Sequence, residues 1–360
     1  MSGIYGLLGL EDNDTSYVNT IGQRIVFDAV TEYVAALNAE LEAAQAVLIS
    51  EETEEFKMRY KLPGGGTLDR VGLNSKPGAT GQYGGWDVAF PLESFAKQIA
   101  ASRINIAAMT VQQLQAHLDT IQIQNANTVF TEALRAIFRN TNRTFIDDEP
   151  YKRGTLTCVP LANGDSVVYP PLFGETTEAT ENHYLESNYT AANISDTNNP
   201  LVTIRDEIEE HNGAPTGGSN IAVFINRAQR AKVEALTDFD PVEDRFIRSG
   251  QDTDVPVNLP NVPGTIIGRC DGTWVVVWPR IPANYMLGVD LDTEAPLKMR
   301  RDPRATGLPW GLTLVSESDA YPLQNAYYEN RFGIAVANRL GAVVMELGTG
   351  GSYTIPTAFA

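Results

Sequence analysis

The side chains able to do chemistry in this sequence are few, and their spacing does not suit it. There are three histidines, His117, His183 and His211. None has the His-x-x-x-His spacing that sets two imidazoles on one helix face to hold a metal. His117 falls between apolar rows of a long helical pattern, and His183 sits in an acidic loop. His211 closes a helix, where an imidazolium complements the C-terminal dipole. Cys158 and Cys270 are the only cysteines; far apart, they exclude a thiolate zinc site or a disulfide framework, fit a reducing compartment, and read as buried thiols. Acid–base chemistry would draw on Asp238, Asp240, Glu243 and Asp244, which are close together in sequence. They miss the twelve-residue calcium-loop pattern and read as a solvated acidic turn. The glycines between 64 and 85 have neither phosphate-loop nor dinucleotide spacing. Gly164-Asp165-Ser166 lacks the closing glycine of a nucleophile elbow. Sequons at Asn188 and Asn193 matter only in a secreted chain. No catalytic constellation is left, and neither a cofactor nor a metal is expected.

The same glycines belong to a different kind of element. Phe56, Met58, Tyr60 and Leu62 alternate along one run, and Trp86, Val88, Phe90 and Leu92 along a second. A strict period of two predicts two half-buried strands, joined by a glycine- and proline-rich tip that has no core of its own. Strands and tip form one long β-hairpin, from about Glu51 to Lys97. Such a ribbon reaches ~40 Å or more at about 3.3 Å per residue, against a radius of gyration of ~20 Å for a compact chain of this length. An isolated two-stranded ribbon is barely stable in water. Its apolar face therefore needs a surface, and a neighbouring molecule is the natural candidate.

Two amphipathic helices flank this hairpin. Val26, Val30, Tyr33, Leu37, Leu41, Ala44 and Leu48 make a stripe over Gly22–Ile49. Thr110 and Gln113 form a capping-box pattern opening a helix that ends near Asn140, with Val111, Leu114, Leu118, Ile121, Val129, Ala133 and Ile137 as its stripe. After it, Thr155–Pro160 and Ser166–Tyr169 read as strands joined by an Ala-Asn-Gly-Asp turn. An alternation then predicts an α/β region: a helix capped by Asn199, opened by Pro200 and closed by Gly213; a strand Ile221–Ile225; a helix Arg227–Leu236; and strands Thr265–Ile267 and Trp274–Trp278. Val255–Pro263 and the stretch from Thr293 to Gly311 read as loops. Strands return at Leu312–Ser316, Ile334–Ala337 and Ala342–Leu347.

The net charge of −18, from 45 acids against 27 bases, argues against a nucleic-acid-binding module, which needs a basic footprint. Up to Phe56 the only base is Arg24. A surface this acidic gains nothing from releasing phosphate counterions. No run approaches the eighteen apolar residues of a membrane span, and the first ten residues lack the basic start of a signal peptide. Synthesis in the cytoplasm and no membrane partner are the expectations.

The order of parts resembles the major capsid proteins of tailed bacteriophages, the HK97-like fold. The resemblance is carried by the hairpin from Glu51 to Lys97, by the helix Thr110–Asn140, and by the tail Tyr328-Glu-Asn-Arg-Phe-Gly-Ile-Ala-Val-Ala-Asn-Arg-Leu-Gly-Ala-Val-Val-Met-Glu-Leu. That tail holds an Arg-x-Gly-like segment leading into a last strand. The resemblance implies an α+β chain with an N-terminal arm (1–50), an extended hairpin or E-loop (51–97), a peripheral domain with a spine helix (98–190), an inserted α/β axial domain (191–325) and a C-terminal return to the peripheral domain (326–360). It implies a non-enzymatic structural protein that assembles as hexamers and pentamers into an icosahedral head around double-stranded DNA, without sequence-specific binding. It places the chain in the virion, and in the host cytoplasm during assembly. Portal and scaffolding proteins are implied partners, with room for a decoration protein. The hairpin would lie across an adjacent subunit through Phe56, Lys57, Met58, Arg59, Tyr60, Lys61, Leu62, Trp86, Val88 and Phe90. Some members of that family cross-link a hairpin lysine to a neighbour's asparagine; Lys57, Lys61 and Lys76 lie in the hairpin here but match no asparagine or glutamate partner, so that chemistry is not predicted. Two rival readings stand beside this one: an encapsulin-like protein nanocompartment, and a carboxylate-based α/β hydrolase.

Overall fold

A computed structural model describes residues 4–10, 16–61, 68–73, 76–78, 85–98, 109–146, 155–169, 180–212, 220–242, 262–302, 311–315 and 327–360. Leu62, most of the hairpin-tip glycines, Gly213, Glu243 and Asp244 lie outside the described residues.

The capping box at Thr110 forms as its sequence predicts. Thr110 Oγ1 accepts from the Gln113 N–H at 3.3 Å, and Gln113 Oε1 accepts from the Thr110 N–H at 3.1 Å. It opens a straight run of 28 residues, Val111–Phe138, and every residue of the predicted stripe is buried along it. At its far end the carbonyls of Ile137 and Arg139 lie 2.9 and 2.7 Å from the Tyr184 hydroxyl. The Tyr353 hydroxyl donates to Phe138 O at 2.7 Å. Phenols from two distant parts of the chain thus satisfy carbonyls that a helix end leaves open.

The N-terminal helix is shorter than its stripe suggests, Gln23–Gln45, and the chain re-emerges as a strand, Ile49–Thr53. Leu48 and Ile49 continue the apolar row, but their backbone pairs in parallel with Leu297–Arg301. Buried strand pairing competes successfully with the last helical turn.

Two main sheets organise the rest. The seven-stranded sheet runs in the order Phe239–Pro241, Thr265–Cys270, Thr273–Val277, Ile221–Ile225, Tyr285–Asp290, Ala342–Glu346, Tyr184–Glu186. Its middle is apolar on both faces, and Ile221–Ile225 is buried throughout. Helix Pro200–Asn212 covers one face with Leu201, Ile204 and Ile208, and Asn199 Oδ1 caps it by accepting from the Leu201 N–H at 3.0 Å. Gly288 is required there, because a Cβ would overlap the Ile204 side chain. The five-stranded sheet runs Ile49–Thr53, Leu297–Arg301, Tyr327–Val336, Thr313–Val315, and Glu93–Gln98 also pairs with Tyr327–Val336.

These sheets cut across the expected domain limits. Ala342–Glu346, expected in the C-terminal return, lies in the same sheet as the middle α/β strands. Leu297–Arg301 and Thr313–Val315, expected in the middle domain, belong to the sheet of the hairpin base. Leu297–Arg301 is a strand where a loop was expected. Lys298, Arg300 and Arg301 hid its period of two, yet Lys298 is buried against Glu51 at 2.7 Å and Glu294 at 2.9 Å.

Three local readings also change. Thr155–Cys158 pairs with Arg143–Ile146, and Asn163–Val168 pairs with Thr180–Asn182, so the two runs do not form a hairpin with each other. Gly164 and Ser166, both at positive φ, lie where that second pairing slips register; an Asn-Gly pair serves a bulge as readily as a turn. The predicted helix Arg227–Leu236 is a 3-10 turn, Arg227–Gln229, followed by one α-turn, Arg230–Val233. His183 is not in an open acidic loop: it is fully buried, with Nδ1 2.8 Å from Ala342 O. No described helix is long and apolar enough to cross a membrane.

Candidate assembly surface

The hairpin is shorter than the expected span 51–97: its outer ends, Ile49–Thr53 and Glu93–Gln98, pair with Leu297–Arg301 and Tyr327–Val336 rather than with each other. Lys57–Lys61 runs antiparallel to Gly85–Ala89, with Met58 opposite Val88 and Tyr60 opposite Trp86. The predicted residues separate by face. Tyr60, Trp86, Val88 and Phe90 are buried, Phe56 and Met58 are half-buried, and Lys57, Arg59 and Lys61 are exposed.

What buries the apolar face departs from the sequence reading. No neighbouring molecule is needed to cover it, because the chain's own body does so. Tyr60, Trp86, Val88 and Phe90 pack with Cys158, Ala162, Tyr169, Ala335, Ala337 and Leu340. The Trp86 Nε1–H donates to Ala337 O at 2.9 Å. The Trp86 ring sits 5.2 Å from Tyr60 and 5.5 Å, edge-on, from Tyr169. An exposed hydrophobic row in water would cost more than the entropy of docking it on an apolar surface that the chain already carries.

Arg339 fixes that surface. It is 1% exposed and donates to Pro160 O at 2.8 Å, Leu161 O at 3.0 Å and Asn163 Oδ1 at 3.1 Å. It also pairs with Asp165 at 2.9 Å. Its guanidinium stands 5.9 Å from the Trp86 ring and 5.8 Å from Tyr169. A buried arginine is tolerated only when its donors are met, and here carbonyls, an amide and a carboxylate meet them.

Two further devices lock the hairpin base. The Arg300 Nη1–H donates to Phe90 O at 3.0 Å. At Gly333 a Cβ would overlap the Pro91 carbonyl, so only glycine lets the hairpin base cross that strand. On the Tyr60 side, the hydroxyl donates to Glu294 at 2.7 Å, and Glu294 pairs with Lys298. Burial, then the Glu294 carboxylate, pushes the Tyr60 phenol far above its ordinary range. Burial alone would lower Lys298, but the hydrogen bonds it donates to Glu51 and Glu294 leave it above its ordinary value.

The outward face is ionic. Lys57 reaches Asp87 at 2.9 Å and Arg59 reaches it at 3.1 Å, while Arg59 also donates to Gly85 O at 3.0 Å. Lys57, ahead of Arg59, holds the Asp87 carboxyl below its usual range. One carboxylate thus serves two cations, and Lys61 adds a third. Beyond them, Leu68 and Leu73 are fully exposed and Val71 is half-exposed.

Glu294, Lys298, Arg300, Gly333 and Arg339 were not singled out from the sequence. Gly333 and Arg339 had drawn notice only as members of the quoted Tyr328–Leu347 tail, with no role given to either. His117, Asp238 and Asp240 are exposed, and among the described residues no group of histidine, cysteine or carboxylate side chains is placed to hold a metal.

No protein-family model matches the sequence, and no curated protein matches it. Among solved structures, a chain from Mycobacterium phage Patience aligns over 93% of this chain and 91% of its own, with a TM-score of 0.65 and 20% identity. The capsid of Ralstonia phage GP4 aligns over 85% and 86%, with a TM-score of 0.45 and 11% identity. A virus-like particle from Pyrococcus furiosus aligns over 89% and 99%, with a TM-score of 0.39 and 12% identity. The first of these likenesses decides the fold: over nearly its whole length, this chain has the mixed helix-and-strand fold of a phage chain.

Proposed function

We propose that this chain is the shell-forming subunit of a tailed-phage head, a structural protein of the virion with the HK97-like architecture. The observation that carries the reading is the near full-length likeness to the chain from Mycobacterium phage Patience. In this reading the helix Val111–Phe138 is the spine, the seven-stranded sheet is the core of the axial region, and the hairpin is the E-loop. Copies associate as hexamers and pentamers, with scaffolding and portal proteins as partners in the host cytoplasm and DNA enclosed without sequence-specific contact. The charge of −18 suits a container that must not hold phosphates.

The hairpin's part in assembly falls to its outward face. Lys57, Arg59 and Lys61, with Leu68 and Leu73 beyond them, are the side chains available to a neighbouring subunit. Tyr60, Trp86, Val88 and Phe90 hold the strap on its own subunit instead. Negative-stain microscopy of the expressed chain, with and without co-expressed scaffold, tests the function. Closed shells of uniform size are expected; small particles alone under every scaffold and salt condition would overturn the reading. Nucleic acid inside shells recovered from infected cells separates a phage head from a protein-filled compartment.

A further inference from the structure

Strand Glu93–Gln98 stands at an edge of the five-stranded sheet. One side of it pairs with Tyr327–Val336 through six consecutive residues, from Glu93 opposite Phe332 to Gln98 opposite Tyr327, without a bulge. No strand among the described residues pairs with its other side. All of its residues are exposed except Phe95, which is half-buried and stacks 4.9 Å from Phe332. A row of backbone donors and acceptors is therefore open to water, and such a row is a template for a further strand.

Charges on an edge ordinarily guard it against pairing. Here they are of opposite sign, Glu93 and Lys97, and neither has an ion-pair partner among the described residues. Glu93, Phe95 and Lys97 share one face of the strand, with the two charges ~13 Å apart, too far to meet within one chain. A second copy laid antiparallel on the same edge brings them together. A two-fold axis through an antiparallel pair requires one residue to face its own copy, because hydrogen-bonded and non-hydrogen-bonded pairs alternate along the ladder. With Phe95 as that residue, Glu93 of each copy faces Lys97 of the other, and the two Phe95 rings meet at the axis. Centring on Ser94 or Ala96 would instead set Phe95 against Glu93 or Lys97. The charges thus guard against the wrong registers and favour one.

The space beside the edge agrees with this. Ser94–Lys97 line an open cleft of about 550 Å³, together with Ile121, Gln124, Asn127 and Thr128 of the helix Val111–Phe138. That helix wall carries no charge, so two chains of net charge −18 can approach across it without like charges meeting there.

We propose that Glu93–Gln98 pairs edge to edge with the same strand of a second copy, centred on Phe95, to make one continuous sheet across a two-fold axis. Six residues a side is less than a standard interface, so the pairing is weak and reversible in free subunits. It does not depend on the shell reading.

Disulfide trapping in the unassembled full chain tests it, since the native Cys158 and Cys270 are both buried. Ser94 and Ala96 are exposed. In this register each lies opposite the other in the second copy, within disulfide reach, and about 7–8 Å from its own counterpart, beyond that reach. Under mild oxidation a mixture of Ser94→Cys and Ala96→Cys chains should form mixed dimers several-fold faster than either chain links to itself. Phe95→Cys should link to its own copy, and one of these two arrangements falls on a non-hydrogen-bonded pair, the closer kind. Adding Glu93→Lys to both chains of the mixture should slow the cross-link about tenfold, and adding Lys97→Glu as well should restore it to within about threefold. Melting temperatures close to the parent chain confirm the fold of each variant. No cross-link in either arrangement, self-linking of Ser94→Cys as fast as the mixture, or no rescue by the second charge reversal would each overturn the proposal.

Discussion

Replacing Trp86 with alanine should release the hairpin from the body while leaving both main sheets folded. Trp86 is 5% exposed, so nearly all of its side chain is lost from the seat under the strap. A buried tryptophan covers roughly 200 Å², which at about 25 cal/mol per Å² gives ~5 kcal/mol as an upper figure. Large-to-small core replacements of this kind cost about 3–5 kcal/mol. The Nε1 bond to Ala337 O goes as well, and Arg339 loses the ring beside it. The hairpin has few other anchors: Tyr60, Val88, Phe90 and the Arg300 bond. A loss of this size therefore favours undocking over a cavity held open. Amide hydrogen exchange across 57–61 and 85–89 reads it directly. Protection there should fall by about two orders of magnitude or more, since each 1.4 kcal/mol is tenfold, while Ile221–Ile225 and Tyr285–Asp290 keep theirs. Lys57→Glu, on the outward face, should leave exchange in the hairpin nearly unchanged. Wild-type protection of the hairpin in the Trp86→Ala chain would refute the docking argument.

Gly333→Ala should displace the hairpin base through the overlap with Pro91, lowering the urea midpoint by more than an exposed Gly→Ala change ever does; an unchanged midpoint would mean that the crossing is looser than it stands. Tyr353→Phe removes one helix-end hydrogen bond and should cost about 1 kcal/mol in urea unfolding, with increased exchange confined to the last turn before Phe138. Glu207 gives a pH prediction. Burial first, then Glu181 and Glu210, raises its carboxyl from about 4.5 to about 7. The folded chain is thus harder to ionise there than the unfolded chain, and the associated stability is present below about pH 4.5 and lost as the pH rises through about 7. Glu207→Gln should therefore stabilise the chain by ~1–2 kcal/mol at pH 8, after discounting for partial exposure, and change little at pH 4. A stability difference that did not vary with pH would contradict this account.

The sequence made legible those elements whose local signals agree with one another. Thr110 and Gln113 announce a helix start, and the apolar stripe behind them runs in register to Ile137, so propensity, cap and period all agree. The hairpin's alternation likewise fixed its pairing, because a slip of one residue would turn Trp86 and Val88 outward. Leu297–Arg301 was hidden because its charged residues are buried through partners far away in sequence, Glu51 above all. The pairing of Asn163–Val168 was misread because Asn-Gly signals a positive φ without saying which strand lies opposite. Arg339 gives no local sign of its role: four groups between Pro160 and Asp165 receive it, and only the folded chain brings them within 3.1 Å.

The hairpin's two faces explain how a strap could serve assembly without hindering it. Had the apolar row been left for a neighbour, each contact would be worth several kcal/mol and misplaced subunits would be slow to correct. The unassembled chain would also expose a patch prone to aggregation. With that row buried at home, the outward face offers exposed ion pairs, worth ~0–1 kcal/mol each and weakened by salt. Contacts that weak are reversible one by one and become strong only when a closed shell repeats them many times. The charge pattern supports the same division: Asp87 neutralises one of the three cations beside it, and the excess faces outward on a chain of net charge −18. On this argument, reversing Lys57, Arg59 and Lys61 together should leave the subunit's melting temperature within a degree or two of the parent while raising the concentration needed for shells to form. If assembly were indifferent to those three charges at low salt, the strap would have to act through its tip alone.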